Sequence, residues 1–158
     1  MNFDAAKIEI RHLAGSDLDA VLGIAETIEE APRWSREHYM EAIRADSSRP
    51  RVALVAVDSL TAEVDGFAIA GLVAPEAELE SIAVAERAQR RGIGRRLIDA
   101  LVEELGQRGI RELRLEVRAS NQRAVRFYES QNFKQIGVRP RYYTDPQEDA
   151  VLMSLCFG

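Results

Sequence analysis

Gln89-Arg90-Arg91-Gly92-Ile93-Gly94 carries the clearest chemical potential in this chain, between a strand-like run, Leu79 to Val84, and an amphipathic helical stretch, Ile93 to Gln107. Glycines at a helix mouth let a ligand approach the first backbone N–H groups, which have no partner within the helix. Those donors and the positive helix end make an anion site. Arg87, Arg90, Arg91, Arg95 and Arg96 crowd the same stretch, so the expected ligand group is a diphosphate. The spacing is not that of a P-loop, which needs four residues between its glycines and then Gly-Lys-Ser/Thr, whereas Arg95 and Arg96 follow here. A dinucleotide fingerprint is also excluded, because its third glycine is missing.

A second group of reactive side chains follows in Leu115-Glu116-Val117-Arg118-Ala119-Ser120-Asn121 and in Ala124 and Phe127-Tyr128-Glu129. Asn121 stands where a helix begins, and Asn121, Ala124 and Tyr128 share one face of it at spacings of three and four. Glu116 lies near the carboxyl end of the preceding strand, the side on which ligands bind in α/β sheets. A carboxylate, an amide and a phenol thus converge on one mouth. Each has a structural alternative: Glu116 as part of a charged strand face, Asn121 as a helix cap, Tyr128 as a core aromatic.

The elements that must position these groups alternate between strands and helices. Lys7 to Leu13 reads as a short strand, and Ser16 is the expected N-cap of a helix carrying Leu18, Val21, Leu22 and Ala25. Ser35 is the expected cap of a second helix reaching about Ala45. Arg51 to Val57 and Gly66 to Val73 are β-rich, with Asp58 to Asp65 as their hairpin loop, and Ala77 to Val84 is the next strand. Ile93, Leu97, Ile98, Leu101, Val102 and Leu105 recur at helical spacing, with Gly106 and Gly109 marking the end. Arg111 to Val117 alternates strictly, a helix spans about Asn121 to Gln131, and strands follow at Phe133 to Val138 and Ala150 to Cys156. The order β-α-α-β-β-β-α-β-α-β-β predicts one α/β domain, residues 1–158, around a mixed sheet.

Composition narrows the chemistry. With one cysteine, Cys156, the 158-residue chain has no internal disulfide or cysteine-based zinc site, and His12 and His38 alone make a histidine-rich metal site unfavourable. No metal is expected. No run approaches the length of a membrane span, and the predicted location is the cytoplasm. The net charge is −5, yet residues 86–141 hold twice as many basic as acidic side chains. A basic segment on an acidic protein suits a polyphosphate ligand of limited size and disfavours nucleic acid as a partner; solvated helix faces are the alternative. No motif bears on oligomeric state.

Ile82-Ala83-Val84, the Gln89–Gly94 loop, Leu115–Asn121 and Ala124–Tyr128 together resemble the ribosomal-protein-alanine N-acetyltransferase branch of the GNAT superfamily. Trp34-Ser35, Tyr142-Tyr143 and Glu148-Asp149-Ala150 match the same pattern. The resemblance implies a GNAT fold, a mixed sheet of about seven strands flanked by about four helices, splayed to admit acetyl-CoA. It implies that the backbone of Ile82, Ala83 and Val84 pairs with pantetheine. Gln89, Arg90, Arg91, Gly92, Ile93, Gly94 and Arg95 would form the pyrophosphate loop, and Asn121 would contact the cofactor. Glu116 matches the family's proton acceptor and Tyr128 its proton donor. The implied acceptor is the N-terminal amine of a protein, in particular the N-terminal alanine of a small-subunit ribosomal protein.

Three positions depart from the family pattern. Gln131-Asn132-Phe133 stands where Leu-Gly-Phe is common, and Asn is the next-best residue for a left-handed helix end. Pro140 precedes Tyr142-Tyr143, and Arg33 replaces a frequent proline, both in regions expected to shape the acceptor site. Glu78 and Glu80 point to one side of their strand, and either could share the role of base with Glu116.

Acetyl transfer to an amine needs a neutral nucleophile, a polarised carbonyl and a protonated leaving thiol. An α-amine with pKa about 7.7–8.0 is neutral roughly a few hundred times more often at pH 7 than a lysine with pKa about 10.4. Trp34, Glu80, Tyr142 and Tyr143 are the candidate acceptor-site residues, with Trp34 as a core anchor the alternative. Glu26, Glu29, Glu30, Glu37 and Glu41 make the first two helices acidic, either a basic-peptide attractor or a solvated face. Lysine or small-amine acetylation and a non-catalytic acyl-CoA-binding module are the competing functions.

Overall fold

The computed structural model describes residues 7–28 and 32–158; Glu29 and Glu30 of the acidic set lie outside them. In chain order the elements are β1 (Ile8–His12), α1 (Leu18–Thr27), α2 (Arg36–Ile43), β2 (Arg51–Asp58), β3 (Val64–Val73) and β4 (Glu76–Val84). They continue with α3 (Ile93–Gln107), β5 (Glu112–Arg118), α4 (Gln122–Ser130), β6 (Lys134–Tyr143) and β7 (Glu148–Cys156). The seven strands form one mixed sheet in the order β1-β2-β3-β4-β5-β7-β6. Every neighbouring pair is antiparallel except β4–β5. A parallel pair needs a crossover, and α3 supplies it.

Two consecutive residues of β3 define the layers. A Cβ at Gly66 would come within 3.3 Å of Ile93 and 3.4 Å of Leu97, so bare backbone faces α3 closely here. Phe67 points the other way, because strand residues alternate, and meets the fully buried Tyr39 of α2 edge-on. The sheet is therefore sandwiched between α3 and the α1–α2 pair. The α3 stripe expected from helical spacing is buried at Ile93, Leu97, Ile98, Leu101 and Leu105. Each such side chain contributes about 1.5–3 kcal/mol on leaving water.

Local chemistry accounts for the differences from the sequence reading. Ser16 does not cap α1: a 3-10 turn over Gly15–Asp17 precedes the helix, and Asp17 is the acceptor there. Its carboxylate takes the Ala14 N–H at 2.8 Å and two Arg11 hydrogen bonds at 2.8 and 2.9 Å. A charged acceptor with a cation across from it outcompetes a serine hydroxyl. Arg11 holds the Asp17 carboxyl below its usual range. Ser35 does cap α2, accepting the His38 N–H at 3.1 Å, although that helix stops at Ile43. The β2–β3 loop is shorter than expected because Asp58 belongs to its strand and accepts the N–H groups of Leu60 and Thr61 at 2.8 and 3.1 Å. Gly106 lies inside α3, and the chain turns at Gly109, with φ +81°.

β6 runs past Val138 to Tyr143 despite Pro140. As the edge strand it tolerates proline, and its pairing with β7 skips from Arg139 to Tyr143. Asn132 adopts φ +73°, the left-handed conformation anticipated at the end of α4. Replacing Asn132 by Val should therefore cost about 1–2 kcal/mol in urea unfolding, while Asn132→Gly stays within about 0.5 kcal/mol of the parent.

Candidate active site

β4 and β5 are joined only at Glu76–Glu112, Ala77–Leu113 and Glu78–Arg114. Beyond these pairs β4 continues to Val84 and β5 to Arg118 without pairing to each other. The parting coincides with a bulge in β4: Leu79 lies opposite Ala70 and Ser81 opposite Ile69, which leaves Glu80 as the extra residue. A bulge bends its strand and increases local twist, so it turns β4 away from β5. The result is a wedge whose facing edges present backbone donors and acceptors over Ile82, Ala83 and Val84. An extended ligand rich in amides satisfies such edges as an added strand would.

The wedge opens onto the glycine loop. Arg90 at φ +65° and Gly92 at φ +75° turn the chain sharply, and Gly92 caps α3. The first N–H groups of α3, from Ile93 onward, then face the mouth. Gln89 fixes the loop from within: its Nε2 donates to Val84 O at 3.1 Å, and its Oε1 accepts from Arg123 of α4 at 3.0 Å. Gly94 gives α4 its close approach, since a Cβ there would stand 3.0 Å from the Phe127 ring.

The five arginines do not all line this loop. Arg87 donates to Val64 O and Asp65 at 2.9 and 3.0 Å and pairs with Glu63 at 3.1 Å. Arg96 donates to Ile8 O at 2.7 Å. Both tie the loop and α3 to neighbouring strands, while Arg95 pairs with Asp99 one turn along α3 at 3.9 Å and Arg91 acts electrostatically on Asp58. Arg123 joins the loop from α4, a contribution that helical periodicity gave no reason to select.

On the β5 side, Glu116 meets Arg139 of β6 at 3.7 Å, and its carboxylate acts on the Tyr142 phenol. That interaction, with burial, raises the Tyr142 pKa. Tyr142 and Tyr143 pack edge-to-face at 5.1 Å, with the Arg118 guanidinium 4.5 Å above the Tyr143 ring. Burial raises the Tyr143 pKa first and Glu116 adds to it. Glu78 is raised by burial, then by Glu116 and Glu80. Glu78 and Glu116 share the lining of a hollow of about 210 Å³ where the strands part, with Ile136, Arg139 and Leu152. A wider, open trough of about 640 Å³ between β1 and α3 is lined by Arg96 of the five arginines and by none of the other predicted site residues. Of the two cavities, the smaller hollow is the one that Glu78 and Glu116 line.

The remaining candidates are placed as follows. Asn121 caps α4, its Oδ1 accepting the Ala124 N–H at 3.1 Å, which leaves Nδ2 as its donor. Tyr128 sits between Phe127 and Phe133, with ring centroids 5.4 and 5.5 Å away. Burial and the neighbouring Tyr143 push its pKa far above that of a free phenol, so it remains a proton-bearing hydroxyl at neutral pH. Trp34 stacks on His38 at 4.0 Å and packs at the core margin. Glu80 is not a free carboxylate; it is held by Arg51 at 2.7 Å. Arg51 and Arg139 were missed by sequence reasoning, since both act across strands distant in the chain. Glu148, part of the quoted tail motif, secures the β5–α4 connection by accepting from Ser120 N at 2.6 Å and Arg118 at 3.2 Å. In Glu116→Gln, Tyr142 loses its anionic partner and should ionise at lower pH than in the parent, which an ultraviolet tyrosinate titration would detect.

The same architecture is found in known proteins. A ribosomal protein bS18-alanine N-acetyltransferase from Salmonella typhimurium is 39% identical over 145 residues, covering 90% of this chain and 93% of the relative. Its counterpart from Escherichia coli K12 is 48% identical over 91 residues, 56% of this chain, and the match spans only 62% of that relative's length. The crystal structure of the ribosomal-protein-S18-alanine N-acetyltransferase from Escherichia coli superposes with a TM-score of 0.81 at 35% identity, over 96% of this chain and 94% of that one. The acetyltransferase (GNAT) family model matches residues 21–133, which run from within α1 past the end of α4 and take in β4, the glycine loop and β5. With the relatives and the fold in agreement, this chain belongs to the GNAT acetyltransferase family.

Proposed function

We propose that the protein is an acetyl-CoA-dependent Nα-acetyltransferase acting on protein N-termini, with the N-terminal alanine of ribosomal protein bS18 as its leading acceptor. The observation that carries this reading is the parting of β4 and β5 at one mouth that also receives the glycine loop, Glu116 and the Tyr128 helix. The name borne by the relatives supports the choice of acceptor. An enzyme directed at a ribosomal protein works in the cytoplasm, and no helix among the described residues is long and apolar enough to cross a membrane.

The wedge fits the cofactor: the β4 edge over Ile82, Ala83 and Val84, unpaired with β5, suits pantetheine amides, and the α3 N-terminus beside Arg90, Arg91 and Arg95 suits a diphosphate. Bound acetyl-CoA supplies the acetyl group as an activated thioester. Gln89, Gly92, Ile93 and Gly94 shape and present the phosphate-binding backbone, and Asn121 Nδ2 reaches toward the cofactor from the start of α4. Glu116 takes the proton of the acceptor amine, directly or through water, with Glu78 beside it as a second carboxylate. Tyr128 Oη delivers its proton to the departing sulfur. Trp34, Tyr142, Tyr143 and the Arg51-bound Glu80 form the walls of the acceptor site.

A short peptide beginning Ala-Arg should be acetylated on its α-amine, read by mass spectrometry, while its N-terminally blocked, lysine-containing twin stays unmodified. Modification of the blocked twin would instead assign a lysine or general amine acceptor. Tyr128→Phe should bind acetyl-CoA within about threefold of the parent while kcat falls about 10²–10⁴-fold. Unchanged turnover would remove Tyr128 from the chemistry.

A further inference from the structure

We infer that the Arg51–Glu80 ion pair, seated over Gly71, is a clamp that fixes the direction in which β4 leaves β5, making both side chains positioning residues for acetyl-CoA. The inference rests on the β4–β5 wedge being the cofactor site.

The clamp joins three strands. Arg51 of β2 donates to Glu80 Oε1 through Nε at 2.7 Å and to Oε2 through Nη2 at 3.3 Å. The two side chains are only 5% and 17% exposed. Between them lies Gly71 of β3, the cross-strand partner of Arg51. A Cβ at Gly71 would stand 2.6 Å from Glu80 Oε1, so the bare backbone is what allows the carboxylate to cross β3. Glu80 is also the extra residue of the bulge, and the β4–β5 ladder ends two residues before it, at Glu78. Ser81 gives the bulge no anchor: its buried hydroxyl has no hydrogen-bond partner among the described residues.

A two-pronged bond from a guanidinium fixes a carboxylate in both distance and plane. Anchored in this way, Glu80 cannot return to the regular alternation of β4. If the bulge were lost, the pairing would slip by one residue and turn the edge from Ser81 to Val84 to the opposite face. Removing Arg51 alone leaves a buried carboxylate without its cation, which is more disruptive than replacing both partners with apolar groups. Glu80 thus acts on acetyl-CoA through the backbone of Ile82–Val84, while Glu116 remains the group that meets the amine.

The test compares the parent with Glu80→Gln, Arg51→Met, Gly71→Ala and the Arg51→Met/Glu80→Met double variant. Acetyl-CoA affinity is measured by calorimetry, melting temperature by thermal scan, and turnover on the Ala-Arg peptide. Arg51→Met should weaken acetyl-CoA binding about tenfold or more, and the double variant should recover most of that loss. Glu80→Gln, which keeps the side chain's shape but offers Arg51 one neutral acceptor oxygen in place of two charged ones, should weaken acetyl-CoA binding less than Arg51→Met does, with turnover falling in step. Gly71→Ala keeps both charges but displaces the carboxylate, so it should weaken binding even if Arg51→Met fails to fold. A lower melting temperature with unchanged affinity in Arg51→Met or Gly71→Ala would overturn the clamp. So would Glu80→Gln losing turnover at intact affinity, because Glu80 would then be the base. A parent protein that does not bind acetyl-CoA would overturn the cofactor site itself and the clamp with it.

Discussion

The three-pair ladder between β4 and β5 is the constraint on which the molecule depends. A parallel pair linked by a helix places the carboxyl ends of both strands at the same side of the sheet. The glycine loop after β4 and the Asn121 turn after β5 therefore open at one mouth. Had the ladder continued along both strands, the backbone of Ile82–Val84 would be consumed by sheet hydrogen bonds. By ending early, it leaves those groups to a ligand, while β3 and β7 hold the outer edges of the two strands. The wedge is thus paired to the sheet on its outside, and past Glu78 its two strands do not pair with each other.

Electrostatics divide this mouth into two regions. Arg90, Arg91, Arg95 and Arg123 gather at the loop and α4, where a helix N-terminus already favours anions. Glu78, Glu80 and Glu116 gather on the α1–α2 side of the sheet, where they are restrained differently. Arg51 holds Glu80, and Arg139 pairs with Glu116. Glu78, without a hydrogen bond or ion pair among the described residues, responds instead by a raised pKa. A phosphate-bearing donor and a cationic acceptor would be drawn to opposite ends of the same gap.

Much of this was legible in the sequence wherever the determinants are local. The α3 stripe, the Gly92 cap, the Ser35 cap and the left-handed Asn132 each follow from neighbouring residues and their backbone preferences. The reading failed where a distant partner decides. Arg11 makes Asp17 the acceptor ahead of α1 in place of Ser16, Asp65 and Ile8 claim Arg87 and Arg96, and Arg51 captures Glu80. β6 was read too short because Pro140 signals a break locally, while its edge position in the sheet tolerates one. Register is a property of two strands, so the early end of the β4–β5 ladder has no signature in either alone.

Hydrogen–deuterium exchange with and without acetyl-CoA tests the central claim most directly, because it reports backbone amides along both candidate cavities at once. Slowed exchange at Ile82–Val84 and at Ile93–Arg95 is the result expected if the wedge and the α3 N-terminus hold the cofactor. Protection confined to the β1–α3 trough around Ile10–His12, with Ile82–Val84 unchanged, would contradict it.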